Sequence, residues 1–408
     1  MFEDTPVMRL SPLTDLIPMQ EVVVGGGKQF LRFEIIHGIE TKWAVRDQLR
    51  ERVPRERVPE IGEPALLLNS RLLSTEALGE AMRLEEGESL VSRGELVAAK
   101  LRELDEDTVR AVMRGEIIGR ARPCEFRLIK NLWDISPISL VEFMSLDLTA
   151  MHGRSEISVG GLTVVGKHPV VVREGVEVLG PVTIDAREGP VVVESGVVLE
   201  PYSHLKGPLY VGEGAQVVSG SRVAGSYVGR QARVGGEVST SVISDFSNKI
   251  HFGFIGHSYV GRWVNVGAGS VTSNLKNTYG EVRVRGQPTG LNKVGAYVGD
   301  HAKLSIGTLT YAGTIIGAAS HVHGLVDEEV PPFTIYGRSL GWGLFEIELD
   351  SVIRTYRRMA PRRGVEPDPV EERLLETLFR MTEDLRAARG VRKGRLDKRS
   401  IHETRSSP

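Results

Sequence analysis

The sequence has a single cysteine, Cys124, among its 408 residues. No intramolecular disulfide framework and no cysteine-based zinc knuckle can therefore be built. A reducing, cytoplasmic setting fits that count. Net charge is also scarce, at -2 with a pI near 6.6. The chain thus lacks the basic bias of a whole-molecule nucleic-acid or membrane binder. No apolar run approaches the ~18 residues of a membrane span. The opening stretch MFEDTPVMRL has no apolar core of the signal-peptide kind. The remaining composition, 41% hydrophobic and 25% charged, is that of an ordinary globular protein. The length suggests about two to three domains.

Glycine is the exception to this scarcity. There are 46, clustered between Gly160 and Gly343. Val193, Leu199, Leu205, Val211, Val217 and Val223 follow one another at six-residue spacing. Val298, Leu304, Thr310, Ile316 and Val322 do the same, with Thr310 the one polar member. Neither a lone helix nor a hairpin sheet has that period. It predicts a hexapeptide parallel β-helix, in which about three hexads make one triangular coil and the aliphatics fill the prism. A sandwich of short strands would instead show irregular lengths and alternating patterns. The period breaks over LKNTYGEVRVRGQPTGLNK, from Leu275 to Lys293, which predicts a projecting loop or arm.

The flanks have a different texture. Residues 1–150 read as an α/β domain. Buried strands are expected at Glu21–Val24 and Ala65–Leu68, and helices at Thr41–Glu51 and Asp105–Arg114. The β-helix is assigned 151–335 and a helical extension 336–408. In that extension a helix is expected over Phe345–Met359. A second begins at Asp368-Pro369, with Leu374, Leu375, Leu378 and Leu385 on one face and Gly390 as a stop. Beyond Arg386 basic residues dominate, which reads as a solvated, disordered tail.

A filled prism leaves no internal pocket, so ligands must bind outside, in grooves between coils of neighbouring subunits. That requirement points to an oligomer. The most polar stretch of the solenoid, NKIHFGFIGHSYVGRWVNVGAGSVTSNLKN, spans Asn248–Asn277. Its aliphatic-glycine steps hold the coil, and the residues between them face outward. His251 has the chemistry to take a proton from an attacking amine near neutral pH. Asn265 and Asn274 have the groups to orient a substrate or donate to an oxyanion. The Gly267-Ala268-Gly269 turn offers unobstructed backbone to an extended ligand. Each of these residues would serve equally as a hydrogen-bonded corner. His257, His301, His321 and His323 carry weaker signals.

The run Asn248-Lys249-Ile250-His251-Phe252-Gly253-Phe254, then Val264-Asn265-Val266-Gly267-Ala268-Gly269-Ser270 and Ser273-Asn274, resembles the acetyltransferase domain of the GlmU-like family. Members of that family are bifunctional UDP-N-acetylglucosamine pyrophosphorylase/glucosamine-1-phosphate N-acetyltransferases. Gly235–Val238, Leu275–Asn277, Gly299–Lys303 and Tyr356–Val365 resemble a divergent branch assigned to sugar nucleotidyl transfer. The resemblance implies a left-handed β-helix, a homotrimer, His251 and Asn265 as catalytic, and Gly267, Ala268 and Gly269 at acetyl-CoA. It further implies Lys249, Asn274, Arg222 and Lys276 as substrate contacts. The sequence departs from the family at Phe254, where a tyrosine is usual, and at Ser239-Thr240, where lysines are usual. These departures put glucosamine-1-phosphate itself in question.

At the N-terminus, Val7-Met8-Arg9-Leu10-Ser11-Pro12-Leu13-Thr14 resembles a segment of sugar-1-phosphate nucleotidyltransferases, without the preceding glycine-rich loop and with Met19 at the lysine position. Arg9, Asn69 and Arg71 are the candidate nucleotide contacts, with Trp133-Asp134 as a further polar point. Gly25-Gly26-Gly27-Lys28 is either a phosphate cradle or a plain turn. The expected function is transfer of a nucleotide to a sugar-1-phosphate with Mg²⁺, acetyl transfer from acetyl-CoA to an amino sugar, or both. Two other classes stay open. One is a metal-dependent hydratase resembling γ-carbonic anhydrase; the other is a non-catalytic sugar-nucleotide-binding trimeric scaffold. No membrane or nucleic-acid partner is expected.

Overall fold

The computed structural model describes residues 1–153 and 159–394; of the tail expected to be disordered from Arg386 on, Arg386 is instead buried and Arg392 pairs its backbone with Leu344 and Glu346, while the part beyond 394 lies outside the described residues. The chain divides into two compact units, Met1–Met151 and the remainder from His152. The first unit carries a four-stranded sheet in the order Ala65–Leu68, Glu95–Leu101, Glu88–Ser92, Arg120–Pro123. The last strand runs parallel to its neighbour and the other pairs are antiparallel. Leu68, Leu90, Val97 and Ala98 pack one face against Phe33 and the helix Ala77–Met82. Leu67, Leu96 and Ala99 pack with Leu104 and Val112 of the following loop and helix.

The helix expected at Asp105–Arg114 forms over Glu106–Met113, capped by the Asp105 carboxylate accepting from the Thr108 amide. The helix expected at Thr41–Glu51 does not form; only a 3₁₀ turn, Asp47–Arg52, appears there. The backbone of this segment is engaged elsewhere. Ala44 N–H donates to Met1 O, Trp43 N–H to Arg57 O, and the Glu34 carboxylate accepts from both the amide and hydroxyl of Thr41. Tertiary pairing of this kind overrides a weak helical preference.

The second unit is a left-handed β-helix-like solenoid of about ten parallel turns. Its three faces hold nine, eight and ten strands. Within a face, strands from successive coils pair in parallel, as Val191 with Leu209 and Val193 with Val211. The six-residue series from Val193 to Val223 and from Val298 to Val322 are both buried in one continuous core. Thr310 is buried with them at 3% exposure, and its hydroxyl meets no partner among the described residues. The break at 275–293 is a short excursion. A Leu275–Lys293 bridge closes its base, and it contains a hairpin of Arg283–Val284 with Gln287–Pro288.

The solenoid ends on an antiparallel strand, Leu344–Glu346. The following helix therefore starts at Leu349, not Phe345, and runs to Met359. The next helix is Pro369–Met381, with the Asp368 carboxylate accepting from Val370 N–H. Leu374, Leu375 and Leu378 are buried as expected. Leu385 is not; it is 46% exposed. The helix breaks at Thr382, whose hydroxyl donates back to Leu378 O, and the short helix Glu383–Ala388 restarts in a new register. No helix among the described residues is long and apolar enough to cross a membrane.

Candidate active site on the solenoid wall

His251 stands exposed on a corner of the solenoid, next to Phe252, which is 73% exposed. The corner is held from inside. Lys249 was expected to face substrate, but its side chain points into the prism and is 1% exposed. It occupies the inward position that Val234 holds one coil earlier. Its ammonium donates to the carbonyls of Gly235 (2.7 Å), His251 (2.7 Å) and Gly253 (3.2 Å). Burial lowers its pKa to about 8. Strand alternation puts Asn248 outward, and therefore its neighbour Lys249 inward. Lys249 thus shapes the turn that carries His251 rather than touching the groove.

Asn265 is exposed, and its side-chain oxygen accepts from Asn248 Nδ2 at 3.1 Å, from one coil below. The same outward column continues to Arg233 on one side and to Lys303 and His321 on the other. Asn274 lies on a different wall, where its amide donates to Nδ1 of His257 at 2.8 Å. His257 was undervalued in the sequence. The signal was present, because both contacts join residues 17 apart, the length of one coil at this height. Once that length is known, outward neighbours can be read directly.

The amides of Gly267 and Gly269 donate to Leu304 O and Phe252 O of adjacent coils, and Ala268 O accepts from Gly307 N–H. Those groups stitch the coils together, so the Gly267 and Gly269 amides are not free for a ligand. Arg222 is on the surface in an ion pair with Glu237 (2.7 Å). Lys276 is at the exposed base of the excursion, donating to Glu281 O.

Burial, and secondarily the Lys293 charge, pushes the His257 imidazole down to about 4. It is neutral in the folded protein at pH 7. As pH falls from about 6.5 toward 4, the unfolded chain takes up a proton at His257 and the folded chain does not, so folding stability drops. His257→Gln is expected to show a shallower fall of Tm over that window than the wild type. Equal slopes in thermal melts at matched pH would remove His257 as a contributor.

The first unit places its candidates differently from the sequence expectation. Asn69 and Arg71 are fully buried. Arg71 clasps the Asp4 carboxylate through Nε and Nη2 (both 2.5 Å) and donates to Ile129 O and Glu95. Asn69 donates to Asp4 and to Leu96 O. They form an internal lock, not a ligand-facing strand end. Asp134 accepts from the Lys130 and Asn131 amides, while Arg9 remains exposed. The Gly25-Gly26-Gly27 turn does cradle an anion with its backbone, but the anion is the protein's own. Gly26 N–H donates to the Asp147 carboxylate (2.9 Å) and Gly25 N–H to the Ser139 hydroxyl (2.8 Å). A Cβ at Gly25, which has φ +55°, would fall on that carboxylate.

Residues 1–138 match the sugar nucleotidyl transferase family. The bifunctional protein GlmU of Rippkaea orientalis is 27% identical over 213 residues, 42% of this chain and 46% of that protein. The bifunctional sugar-1-phosphate nucleotidylyltransferase/acetyltransferase of Sulfurisphaera tokodaii is 32% identical over 113 residues, 27% of this chain and 26% of that protein. The chain thus spans less than half the length of these curated relatives. Among solved structures, a hexapeptide transferase family protein from Anaplasma phagocytophilum covers 50% of this chain and 93% of its own, at 13% identity and TM-score 0.24. The solenoid assignment rests on the strand pairing itself.

Proposed function

We propose, on the premise that this chain is a divergent member of the GlmU-like family, that it serves nucleotide-sugar biosynthesis as a nucleotidyl- and acetyltransferase. The β-helix would transfer an acetyl group from acetyl-CoA to an amino sugar phosphate. The observation that carries this reading is the exposed His251 corner, in the coil next to the outward Asn265, with Asn274 on a different wall beside His257. Acetyl-CoA enters as substrate. The sugar amine attacks the thioester carbonyl, the C–N bond forms, and the C–S bond breaks. His251 takes the proton from the amine as it becomes cationic and returns it to the departing thiolate. Phe254, which has no hydroxyl, leaves that side of the acceptor site without a donor. That departure puts glucosamine-1-phosphate itself in question as the acceptor. A homotrimer would complete the groove around His251 with a neighbouring coil.

Nucleotidyl transfer rests on the family match of residues 1–138 alone, because Asn69 and Arg71 are locked internally. Mg²⁺ would arrive with the nucleotide's phosphates. Among the described residues no group of three His, Cys, Asp or Glu side chains is gathered to hold an ion. The same observation gives the hydratase reading no support within one chain.

The test is thiol release from acetyl-CoA against a panel of amino-sugar phosphates, with His251→Ala beside the wild type. Acceptor-dependent release that falls roughly 100-fold or more in the variant is expected. Release unaffected by the substitution would remove His251 as the base. No release with any acceptor would leave the solenoid as a scaffold.

A further inference from the structure

A cavity of about 280 Å³ opens on the solenoid wall, lined by Arg233, Asn248, Asn265 and Lys303 of the outward column, by Phe246 and Trp263, and by Arg362 and Arg363 of the C-terminal segment. Four cationic side chains converge there and no carboxylate lines it. Elsewhere in this protein arginines meet carboxylates routinely, as Arg262 does with Asp300 and Glu371. Arg233, Lys303, Arg362 and Arg363 have no ion-pair partner among the described residues.

The cluster is built rather than incidental. The Lys303 ammonium is anchored on Trp263 O (2.9 Å) and His301 O (2.8 Å). The Arg362-Arg363 turn is fixed by what precedes it. Tyr356 meets Trp263 edge-on at 5.5 Å, and Ala360 is fully buried beside them. Nε of Arg363 is buried without a hydrogen-bond acceptor. Burial, with the Arg233 and Arg362 charges, pushes the Arg363 guanidinium down to about 10, and burial pushes Lys303 down to about 7. A buried donor beside like charges and without an acceptor is costly in isolation. An anion seated among the four would satisfy it.

We propose that this cavity is a binding site for the phosphoryl group of a small phosphorylated ligand. Its volume lies at the lower limit of small-molecule pockets, which suits a phosphate head with the rest of the ligand reaching outward. Guanidinium groups match phosphate oxygens bidentately, and the Asn248 and Asn265 side chains add neutral polar groups at the rim. The site does not depend on acyl transfer at His251; it shares only Asn265 with that reading.

The experiment is titration calorimetry on the full chain with inorganic phosphate, an amino-sugar 1-phosphate and a nucleoside diphosphate, each against chloride at matched ionic strength. Arg363→Gln, Arg233→Gln and His251→Ala are run beside the wild type. Saturable binding of at least one phosphate compound is expected, weakened about tenfold by either arginine substitution, with the binding of inorganic phosphate unchanged in His251→Ala. The tightest of the three probes names the source of the phosphoryl group. Ligand-free Arg363→Gln should melt no lower than the wild type, since it removes an unsatisfied buried cation, so a folding defect would not mask the result. At a fixed concentration, phosphate should raise the Tm of the wild type more than that of Arg363→Gln. No saturable binding by any probe, a response equal to that of chloride, or binding indifferent to both arginines would overturn the proposal.

Discussion

Arg262→Met is expected to destabilise the solenoid unit by about 3–5 kcal/mol, because it strands two buried carboxylates. Arg262 donates to Asp300 Oδ2 through Nε (2.8 Å) and Nη2 (2.6 Å), and to Glu371 through Nη1 (3.2 Å) and Nη2 (2.9 Å). Glu371 is 2% exposed and belongs to the helix Pro369–Met381. Asp300 belongs to a solenoid corner and also accepts from the Arg262 amide. The guanidinium is therefore the bolt between that helix and the wall. His301 donates to Glu371 from Nε2 (2.8 Å), but it cannot replace the charge. Burial outweighs the carboxylate's pull and holds its pKa below the usual value. Urea unfolding gives the energy, and hydrogen exchange over 369–381 gives the location. A loss under 1 kcal/mol, or unchanged protection of that helix, would show that packing of Trp263, Tyr356 and Ala360 suffices alone.

The second large effect is in the first unit. Asp147→Ala is expected to cost about 3–5 kcal/mol for the same physical reason. Arg32 is fully buried and donates to Asp147 through Nε (2.7 Å) and Nη2 (3.3 Å). Its remaining donors go to Gln29 Oε1 and Leu73 O. Without Asp147 the guanidinium is an uncompensated buried charge, and Gly26 N–H loses its acceptor as well. The double variant Arg32→Met/Asp147→Ala should recover much of the loss, since an apolar pair of similar bulk often replaces a buried ion pair at little cost. A double-mutant cycle measures this directly. A double variant as unstable as Asp147→Ala alone would mean that the carboxylate matters through the Gly25-Gly26 amides and not through Arg32.

Much of the solenoid was legible because its signal repeats. A six-residue aliphatic period is local, redundant and tied to one side-chain direction, so single exceptions such as Thr310 do not erase it. The helix start at Asp368 was legible for a similar reason, since the carboxylate and the amide it accepts from lie two residues apart. Lys249 was misplaced because the motif around it was read as uniformly outward, whereas alternation sends every second residue into the prism. Asn69 and Arg71 were misplaced because their partner, Asp4, is more than sixty residues away in sequence. The segment Thr41–Glu51 lost its helix to contacts with Met1, Glu34 and Arg57 that no local pattern announces.

By itself the sequence determined the repeating architecture, the place where the repeat is interrupted, the helices with their own caps, and a histidine on an outward corner. All of these depend on spacings within one coil or one turn. Only the tertiary structure decided which charges meet. It turned Lys249 inward, filled the glycine turn with Asp147, paired Asn274 with His257, and gathered Arg233, Lys303, Arg362 and Arg363 around one cavity. The reason is physical. A hydrogen bond or a like-charge cluster depends on distance in space, and coil stacking and chain return bring together residues whose separation in sequence carries no local trace.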